Sequence, residues 1–448
     1  MNILLISPNT LTVPYPVYPI GLDYVAGAIP SGHAVRIADM LTLSMDELGQ
    51  VIDDFAPGII GISCRNIDNT DSGDSSFFLN DYQHLAAWLR ERSSALIVCG
   101  GSGFTIMPEE ILALIGADYG IVGEGERFAL LIDAIASNRD PLEISGVISA
   151  QKSCDRPLPW QGKQVRRFSR NPDQIQYYID NGGMLNLQTK RGCSFRCIYC
   201  SYPHIEGKTH RLVDPKAVAR TALELQEAGA KYLFFTDSAF NSDIRHSLAV
   251  AFAMREAGLS IPWGAFFAPI RLPEGYFSAM STAGCRHVEF GTESLSETML
   301  DAYKKPFRTE DVFAAHQQAR AAGLHVAHYF LLGGPGESAE TIAECLAGIE
   351  RLERSVFFFF IGIRIYPGTA LYDMAVAEGK IEAGTDLLHP VFYQPDSINL
   401  PAIATLVGQR ASGRRNWVTG SGDTRVAETI RILHRRNFVG PLWEYLAR

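Results

Sequence analysis

The sequence predicts an α/β protein in two successive units, a doubly wound parallel sheet and then a second strand-and-helix array, ending in a small, mostly helical region. Three observations predict it. Short apolar runs of strand length alternate with amphipathic segments of helix length along most of the 448 residues, as in parallel sheets covered by helices. The alternation breaks between Gln151 and Gly183, where Pro157, Pro159 and Pro172 stand among Arg and Gln residues, and it fades beyond about Glu382. Apolar residues make up 47% of the chain, enough at this length for more than one core. The expected units are residues 1–150, a linker over 151–184, a second domain over 185–382 and a carboxyl-terminal region over 383–448.

In the first unit, strands are expected at Asn2–Ser7, Ala34–Ala38, Ile59–Ser63, Leu96–Cys99 and Tyr119–Val122, with helices at Met45–Phe55, Leu79–Arg92, Pro108–Ile115 and Arg127–Ser137. Five such strands make a flavodoxin-like sheet the default, and ligands of these sheets bind beyond the carboxyl ends of the strands. The loops there are Pro8-Asn9-Thr10, Cys64-Arg65-Asn66, Gly100-Gly101-Ser102-Gly103 and Gly123-Glu124-Gly125-Glu126. Glycine lets backbone approach a ligand closely, and the helices that follow offer N–H groups. Gly-Gly-Ser-Gly alone also fits a plain strand-to-helix turn, and it lacks the GxGxxG order of a dinucleotide site. The Arg166-Arg167 pair in the linker reads as a solvated face.

In the second unit, strands are expected at Leu185–Thr189, Lys231–Phe235, Pro262–Phe267, His287–Phe290, Val326–Leu332 and Val356–Ile363, apolar throughout as in strands buried on both faces. Helices fill the intervals from Asp214 to Ala228, Ser247 to Glu256, Glu274 to Ala283, Glu310 to Ala322 and Ala339 to Arg351. Polar strand-end loops are where a β/α barrel places its chemistry. They are Thr236-Asp237-Ser238, Gly291-Thr292-Glu293-Ser294, Gly333-Gly334-Pro335-Gly336-Glu337 and Ile365-Tyr366-Pro367-Gly368. Asp237 and Glu293-Ser294 also fit helix caps. The run Phe357–Phe360 is expected in the core, and His325 and His328 as packing residues.

The first of these strands runs into Cys193-Ser-Phe-Arg-Cys197-Ile-Tyr-Cys200. Three thiols at CxxxCxxC spacing on one loop suit an iron–sulfur cluster. Three ligands leave one iron of a four-iron cube open for a small molecule. A structural zinc site needs a fourth ligand, for which His204 and His210 are near enough. Disulfides are disfavoured because nothing suggests an oxidising compartment. Cys64, Cys99, Cys285 and Cys345 stand in apolar surroundings and are expected to be buried fillers, and Cys154 a linker residue.

The stretch Thr189-Lys-Arg-Gly-Cys193-Ser-Phe-Arg-Cys197-Ile-Tyr-Cys200 resembles the radical S-adenosylmethionine (SAM) superfamily, and the six strands are similar in number to its partial (β/α)6 barrel. The resemblance implies that Cys193, Cys197 and Cys200 hold a 4Fe-4S cluster. It further implies that Asp237-Ser238 and Glu293-Ser294 contact SAM, that Gly334 and Tyr366 flank its adenine and the substrate cavity, and that Tyr199 packs at the adenine edge. The segments Gly100–Glu110 and Ala117–Glu126 resemble the cobalamin-binding domain fused ahead of many such enzymes. Cobalamin would then meet Asn9, Arg65, Asn66, Gly101, Ser102, Gly103, Glu124 and Gly125. One departure is clear: the Asp-x-His-x-x-Gly segment of the wider cobalamin family is absent, and the only earlier histidines are His33 and His84.

The activity implied is a cobalamin-dependent radical SAM methyltransferase. It would generate a 5′-deoxyadenosyl radical and methylate a carbon centre of a small natural product or lipid. The competing activity within the same resemblance is a dehydratase, oxidoreductase or cyclase whose cobalamin-like domain is a scaffold. A corrinoid or iron–sulfur carrier is a third reading, opposed by the full set of strand-end loops. No residue is singled out as catalytic. An external electron donor is implied, whether flavodoxin, ferredoxin or a dedicated reductase. The net charge of −9 offers no basic footprint for nucleic acid, and no apolar run reaches membrane-span length. The amino end reads as a strand and not a signal peptide, so a cytoplasmic location is expected. Thr424 to Arg448 reads as an amphipathic helix with Arg431, Arg435 and Arg436 on one side.

Overall fold

Two parallel sheets carry the chain in the computed structural model, which describes residues 1–12, 15–168, 171–420 and 424–447, without the side chains of 424 and 425. The first sheet contains β1 (Asn2–Ser7), β2 (Ala34–Asp39), β3 (Ile59–Ser63), β4 (Leu96–Gly100), β5 (Tyr119–Ile121) and β6 (Val147–Ile148). Their order is β2-β1-β3-β4-β5-β6, with β6 antiparallel at the edge. Helices α1 (Ile20–Ala28), α2 (Met45–Phe55), α3 (Leu79–Arg92), α4 (Pro108–Ile115) and α5 (Arg127–Ala136) cover it. Ile3 to Ile6 are at most 1% exposed, as a strand covered on both faces requires. Helix α2 starts at a capping box, with Ser44 and Glu47 each bonding the other's backbone N–H. The five expected strands are all present. Helix α1 was not expected, because it follows a proline-rich stretch and has no side-chain cap.

Helix α6 (Pro172–Asp180) lies in the linker, and the second sheet begins with β7 (Met184–Leu187). A two-stranded antiparallel ribbon, β8 (Lys190–Arg191) and β9 (Arg211–Leu212), brackets the cysteine loop and the short α7 (Tyr202–Ile205). The array continues through α8 (Pro215–Glu227), β10 (Tyr232–Phe235), α9 (Ile244–Glu256), β11 (Trp263–Phe267), α10 (Tyr276–Thr282) and β12 (Cys285–Glu293). Next come α11 (Glu297–Ala302), α12 (Thr309–Ala321), β13 (His325–Leu332), α13 (Ala339–Ile349) and β14 (Val356–Ile361). Helices α14 (Ala370–Ala377) and α15 (Leu400–Ala411), strand β15 (Trp417–Thr419) and α16 (Thr424–Arg435) complete the chain. The sheet order is β15-β14-β13-β12-β11-β10-β7, and each neighbouring pair is parallel.

The six expected strands are therefore joined by a seventh. Three residues of β15 pair with Phe357–Phe359, too short a run to show a period in sequence. The carboxyl-terminal region is mostly helical, as expected, yet supplies this strand. Trp443 and Leu446 pack on Ala327, Val356 and Val418, filling the end of the sheet's inner face near the starts of β13 and β14.

Buried polar ties join the two sheets. Tyr178 and Gln174 of α6 donate to Asp39 at the end of β2, at 2.5 and 3.2 Å. Arg364, beyond β14, pairs with Asp68 beyond β3 at 2.9 Å. Arg166 pairs with Asp23 of α1 at 2.8 Å and donates to the Asn186 carbonyl. This corrects the reading of Arg166 as a solvated face: its side chain is 6% exposed, because a proline-rich linker wraps inward here and supplies the counter-charge for a buried aspartate. Arg167 is exposed. Among the described residues no helix is long and apolar enough to cross a membrane.

Candidate functional site

The carboxyl ends of the first sheet and the start of the second domain face each other across a cleft of about 310 Å³. One side is Ser7, Asn9, Ser63, Arg65, Gly100, Gly101, Ser102, Gly123, Glu124 and Gly125, and the other includes Gln188, Arg191, Tyr202, Ile205, Glu206 and Thr236. The reversal of strand order lies between β1 and β3, so the cleft sits where a doubly wound sheet binds ligands. Of the residues expected to meet cobalamin, Asn9, Arg65, Gly101, Ser102, Glu124 and Gly125 line it, and Asn66 and Gly103 do not.

Glycine is required at 101 by its surroundings. Its φ is +114°, and a Cβ would stand 2.7 Å from the Cys64 carbonyl oxygen, so the β3 and β4 loops close on each other only with glycine there. Ser102 Oγ donates to the Arg65 carbonyl at 3.0 Å and fixes the same two loops. No histidine lines the cleft, in keeping with the missing histidine segment.

Glu124 is held elsewhere. Its carboxylate accepts from the Trp160 N–H at 2.6 Å and from the Arg211 guanidinium. Beside it, Glu126 pairs with Arg191 at 2.7 Å, both almost wholly buried. Arg191 also lies over the Tyr24 ring at 4.8 Å. Glu126 and Arg191 therefore pin the cofactor-facing sheet to the strand that precedes Cys193. Glu206 extends the clamp by accepting from the Gly192 N–H and Gln188 at 3.1 Å each.

The cysteine loop leaves the ribbon at Gly192, and all three thiols are free. Cys193 is buried, and Cys197 and Cys200 are half-buried. Cys193 N–H donates to the Gly207 carbonyl and Ile198 N–H to that of Tyr303, at 3.1 and 3.3 Å, tying the loop to both sides. Burial pushes the Cys200 thiol up to about 12. Burial raises Cys197 as well, opposed by the neighbouring Lys305 ammonium. Metal must displace those protons, and the cation beside them favours thiolate. Among the described residues no three His, Cys, Asp or Glu side chains converge as the ligands of a single ion do. His210 instead shares a hydrogen bond with Ser242 at 3.1 Å, and His204 belongs to no converging group among the described residues, so neither supplies the fourth ligand of the zinc reading. The donor set fits a thiolate-held cluster.

Lys305 was not singled out in the sequence, where no motif marks it apart from the neighbouring Lys304. The fold buries Lys305 beside Tyr199, 3.2 Å from the hydroxyl, and 3.2 Å from Glu293. Burial works against its charge, but the Glu293 carboxylate, with the Cys197 sulfur when it is thiolate, outweighs that and holds the ammonium above its ordinary range. Glu293 has φ +62°, a conformation that costs a non-glycine residue energy and often marks a functional position. Tyr199, Glu293 and the cysteines are thus brought together.

The other residues expected to contact SAM have these protein partners. Asp237 is 2% exposed and accepts from Thr189 N–H at 2.8 Å, Thr189 Oγ1 at 2.5 Å and Lys190 at 2.9 Å. Its carboxylate clamps the strand running into the cluster loop, and Ser238 beside it is half-buried. Ser294 is fully buried and caps Ser296 N–H at 3.1 Å. A Cβ at Gly334 would collide with the Tyr303 ring at 2.3 Å, so this glycine makes room for packing. Tyr366 is half-buried against the Arg364 guanidinium, 4.9 Å from its ring centre.

Comparison with known proteins agrees with this arrangement. The family model for the radical SAM superfamily matches residues 187–347, and that for the B12 binding domain matches residues 6–132. An uncharacterised methyltransferase of Pyrococcus horikoshii is 28% identical, with 85% of this chain and 84% of that protein aligned. The tryptophan 2-C-methyltransferase of Streptomyces laurentii is 26% identical over 82% of this chain and 73% of its own. In fold, the chain is similar to a radical SAM methyltransferase of Kitasatospora setae solved with cobalamin and a [4Fe-4S] cluster. The TM-score is 0.85 at 20% identity, covering 100% of this chain and 97% of that one. With its cysteine loop at the head of one parallel sheet and glycine-lined strand ends of the other facing it, the chain carries a B12-binding domain over residues 6–132 and a radical SAM domain over residues 187–347.

Proposed function

We propose that the protein is a cobalamin-dependent radical SAM methyltransferase that acts on a carbon centre of a small molecule. The observation that carries this is the shared cleft. Residues of the B12-binding domain and residues flanking the cysteine loop line one space, so groups held by the two domains would meet there. The relatives named as methyltransferases support the same reading. A domain kept only as scaffold would have no need of a cleft facing the cluster loop.

When bound, the cluster with SAM supplies one-electron bond cleavage, and cobalamin supplies a transferable methyl group. Cys193, Cys197 and Cys200 would hold the cluster. Lys305, Glu293 and Tyr199 stand beside them, a charged, hydrogen-bonding set suited to the amino, carboxylate and hydroxyl groups of SAM. Asn9, Arg65, Gly101, Ser102 and Gly125 would meet the corrinoid, with the Gly101 loop permitting close backbone approach. Asp237 and the Glu126–Arg191 pair act by position, keeping strand and loop in register. The electron would come from flavodoxin, ferredoxin or a dedicated reductase, and a reducing cytoplasm would suit eight unpaired cysteines.

The test is anaerobic reconstitution with iron, sulfide and hydroxocobalamin, then incubation with SAM carrying a labelled methyl group and a reductant. Label passing to the bound corrinoid supports methyl transfer. Production of 5′-deoxyadenosine with no corrinoid retained would shift the assignment to a radical enzyme of another kind.

A further inference from the structure

Helix α11 ends against the cysteine loop in a turn that fixes one cation there. Beyond Tyr303, the Lys304 N–H donates to the Asp301 carbonyl at 3.0 Å and the Lys305 N–H to the Leu300 carbonyl at 2.9 Å, the paired bonds of a Schellman turn. The left-handed position of such a turn favours glycine, yet here it is Lys304, with φ +54°. The chain reverses at once, so that Lys304 is exposed while the Lys305 side chain turns inward and is 7% exposed. In the same turn the Tyr303 carbonyl accepts from the Ile198 N–H, between Cys197 and Cys200, at 3.3 Å. Turn and thiols are therefore joined directly.

The ammonium has little freedom. Lys305 Nζ is 3.2 Å from both the Tyr199 hydroxyl and Glu293 Oε1, and it lies 5.8 and 5.3 Å from the centres of the Tyr199 and Phe307 rings. Of the charged groups around Cys197, Lys305 acts most strongly and favours thiolate, ahead of Glu293, which opposes it. Lys305 also favours thiolate at Cys200. The pair thus presents a net positive charge to these sulfurs from a buried site, where screening is weak. The reduction potential of an iron–sulfur cluster follows the charge and hydrogen bonding around its sulfurs. A cation held at short range favours the form that carries the extra electron.

We propose that Lys305 sets the reduction potential of the cluster held by Cys193, Cys197 and Cys200, raising it through its charge, and that Glu293 limits the rise. The proposal rests on the cluster reading of those cysteines and concerns electron entry, not the fate of the substrate. One electron passes from an external one-electron carrier, which is oxidised, to the cluster, which is reduced; no bond is made or broken and no proton moves. A lysine present only to neutralise Glu293 would leave that potential unchanged when its charge is removed.

The experiment is a redox titration with titanium(III) citrate, read by electron paramagnetic resonance of the reduced cluster. It uses anaerobically reconstituted holoprotein without SAM, with iron and sulfide measured on each sample. Lys305→Met, similar in length and uncharged, is expected to disfavour reduction about tenfold, a fall of about 59 mV for one electron. Glu293→Gln is expected to favour reduction about threefold or more, and Lys305→Arg, which keeps the charge, to stay within about twofold of the parent. An unmoved potential in both Lys305→Met and Glu293→Gln overturns the proposal, as does a Lys305→Arg potential as low as that of Lys305→Met. Should Lys305→Met lose its iron, Glu293→Gln decides, and an unmoved or lower potential there is the contrary result. A parent that holds no four-iron cluster overturns the cluster reading and this inference with it, whereas a cluster whose potential ignores these charges overturns the inference alone.

Discussion

Asp237 shows how one buried carboxylate anchors the strand that runs into the cysteine loop. It is buried with Lys190, and the two Thr189 bonds complete its shell. Removing one member of such a pair leaves the other charge buried and uncompensated, which costs roughly 3–5 kcal/mol. Asp237→Ala is therefore expected to lower unfolding stability by about that much, while the double variant Asp237→Ala with Lys190→Met recovers part of the loss. Denaturation of the parent and the two variants reads this directly, and no recovery in the double variant would contradict it. His316 offers a pH test. It hydrogen-bonds His328 at 3.2 Å, which in turn meets Thr292 at 2.8 Å. Burial lowers its pKa to about 4. A group with a depressed folded-state pKa contributes stability that is complete above its unfolded value, near 6.5, and is lost as pH falls towards 4. Thermal unfolding should weaken over that window, and His316→Phe should flatten the slope. An equally steep slope in the variant would count against it.

The β8–β9 ribbon is the element on which the site turns. It carries Lys190, clamped by Asp237, and Arg191, clamped by Glu126 of the other domain, and it ends two residues before Cys193. Glu126→Gln leaves the Arg191 charge with the longer contact to Glu124 at 3.8 Å as its ion pair. It is expected to destabilise the domain contact by roughly 3 kcal/mol and to speed proteolysis in the 151–184 linker, with proteolysis unchanged as the contrary result. The pairing that makes this ribbon was not legible beforehand. Two-residue strands have no period, and a Glu-to-Arg pairing 65 positions apart leaves no local trace. The longer elements were legible because their apolar runs are buried on both faces and bounded by glycine, proline or capping residues. The same holds for the cysteines, whose spacing alone brings three thiols onto one loop. The polar strand-end residues were legible in place but not in role. Whether Asp237 or Glu124 faces a ligand or a neighbouring strand depends on partners dozens of residues away.

Two domains meeting over one cleft is what the assembled chain adds to its parts. The first sheet alone is a ligand-binding fold, and the second alone is a cluster-bearing barrel. The buried ties from Asp23, Asp39, Asp68 and Glu126 hold them at one spacing. The linker that makes two of these ties read as featureless in sequence, because its function lies in side chains reaching back and not in any repeat. The most direct measurement is the metal, sulfide and corrinoid content of anaerobically purified, reconstituted protein beside its Cys197→Ala variant. The parent is predicted to hold about four iron, about four sulfide and a corrinoid, and Cys197→Ala to lose iron and sulfide while keeping the corrinoid. Zinc without sulfide in the parent, or a variant with unchanged iron, would contradict the account.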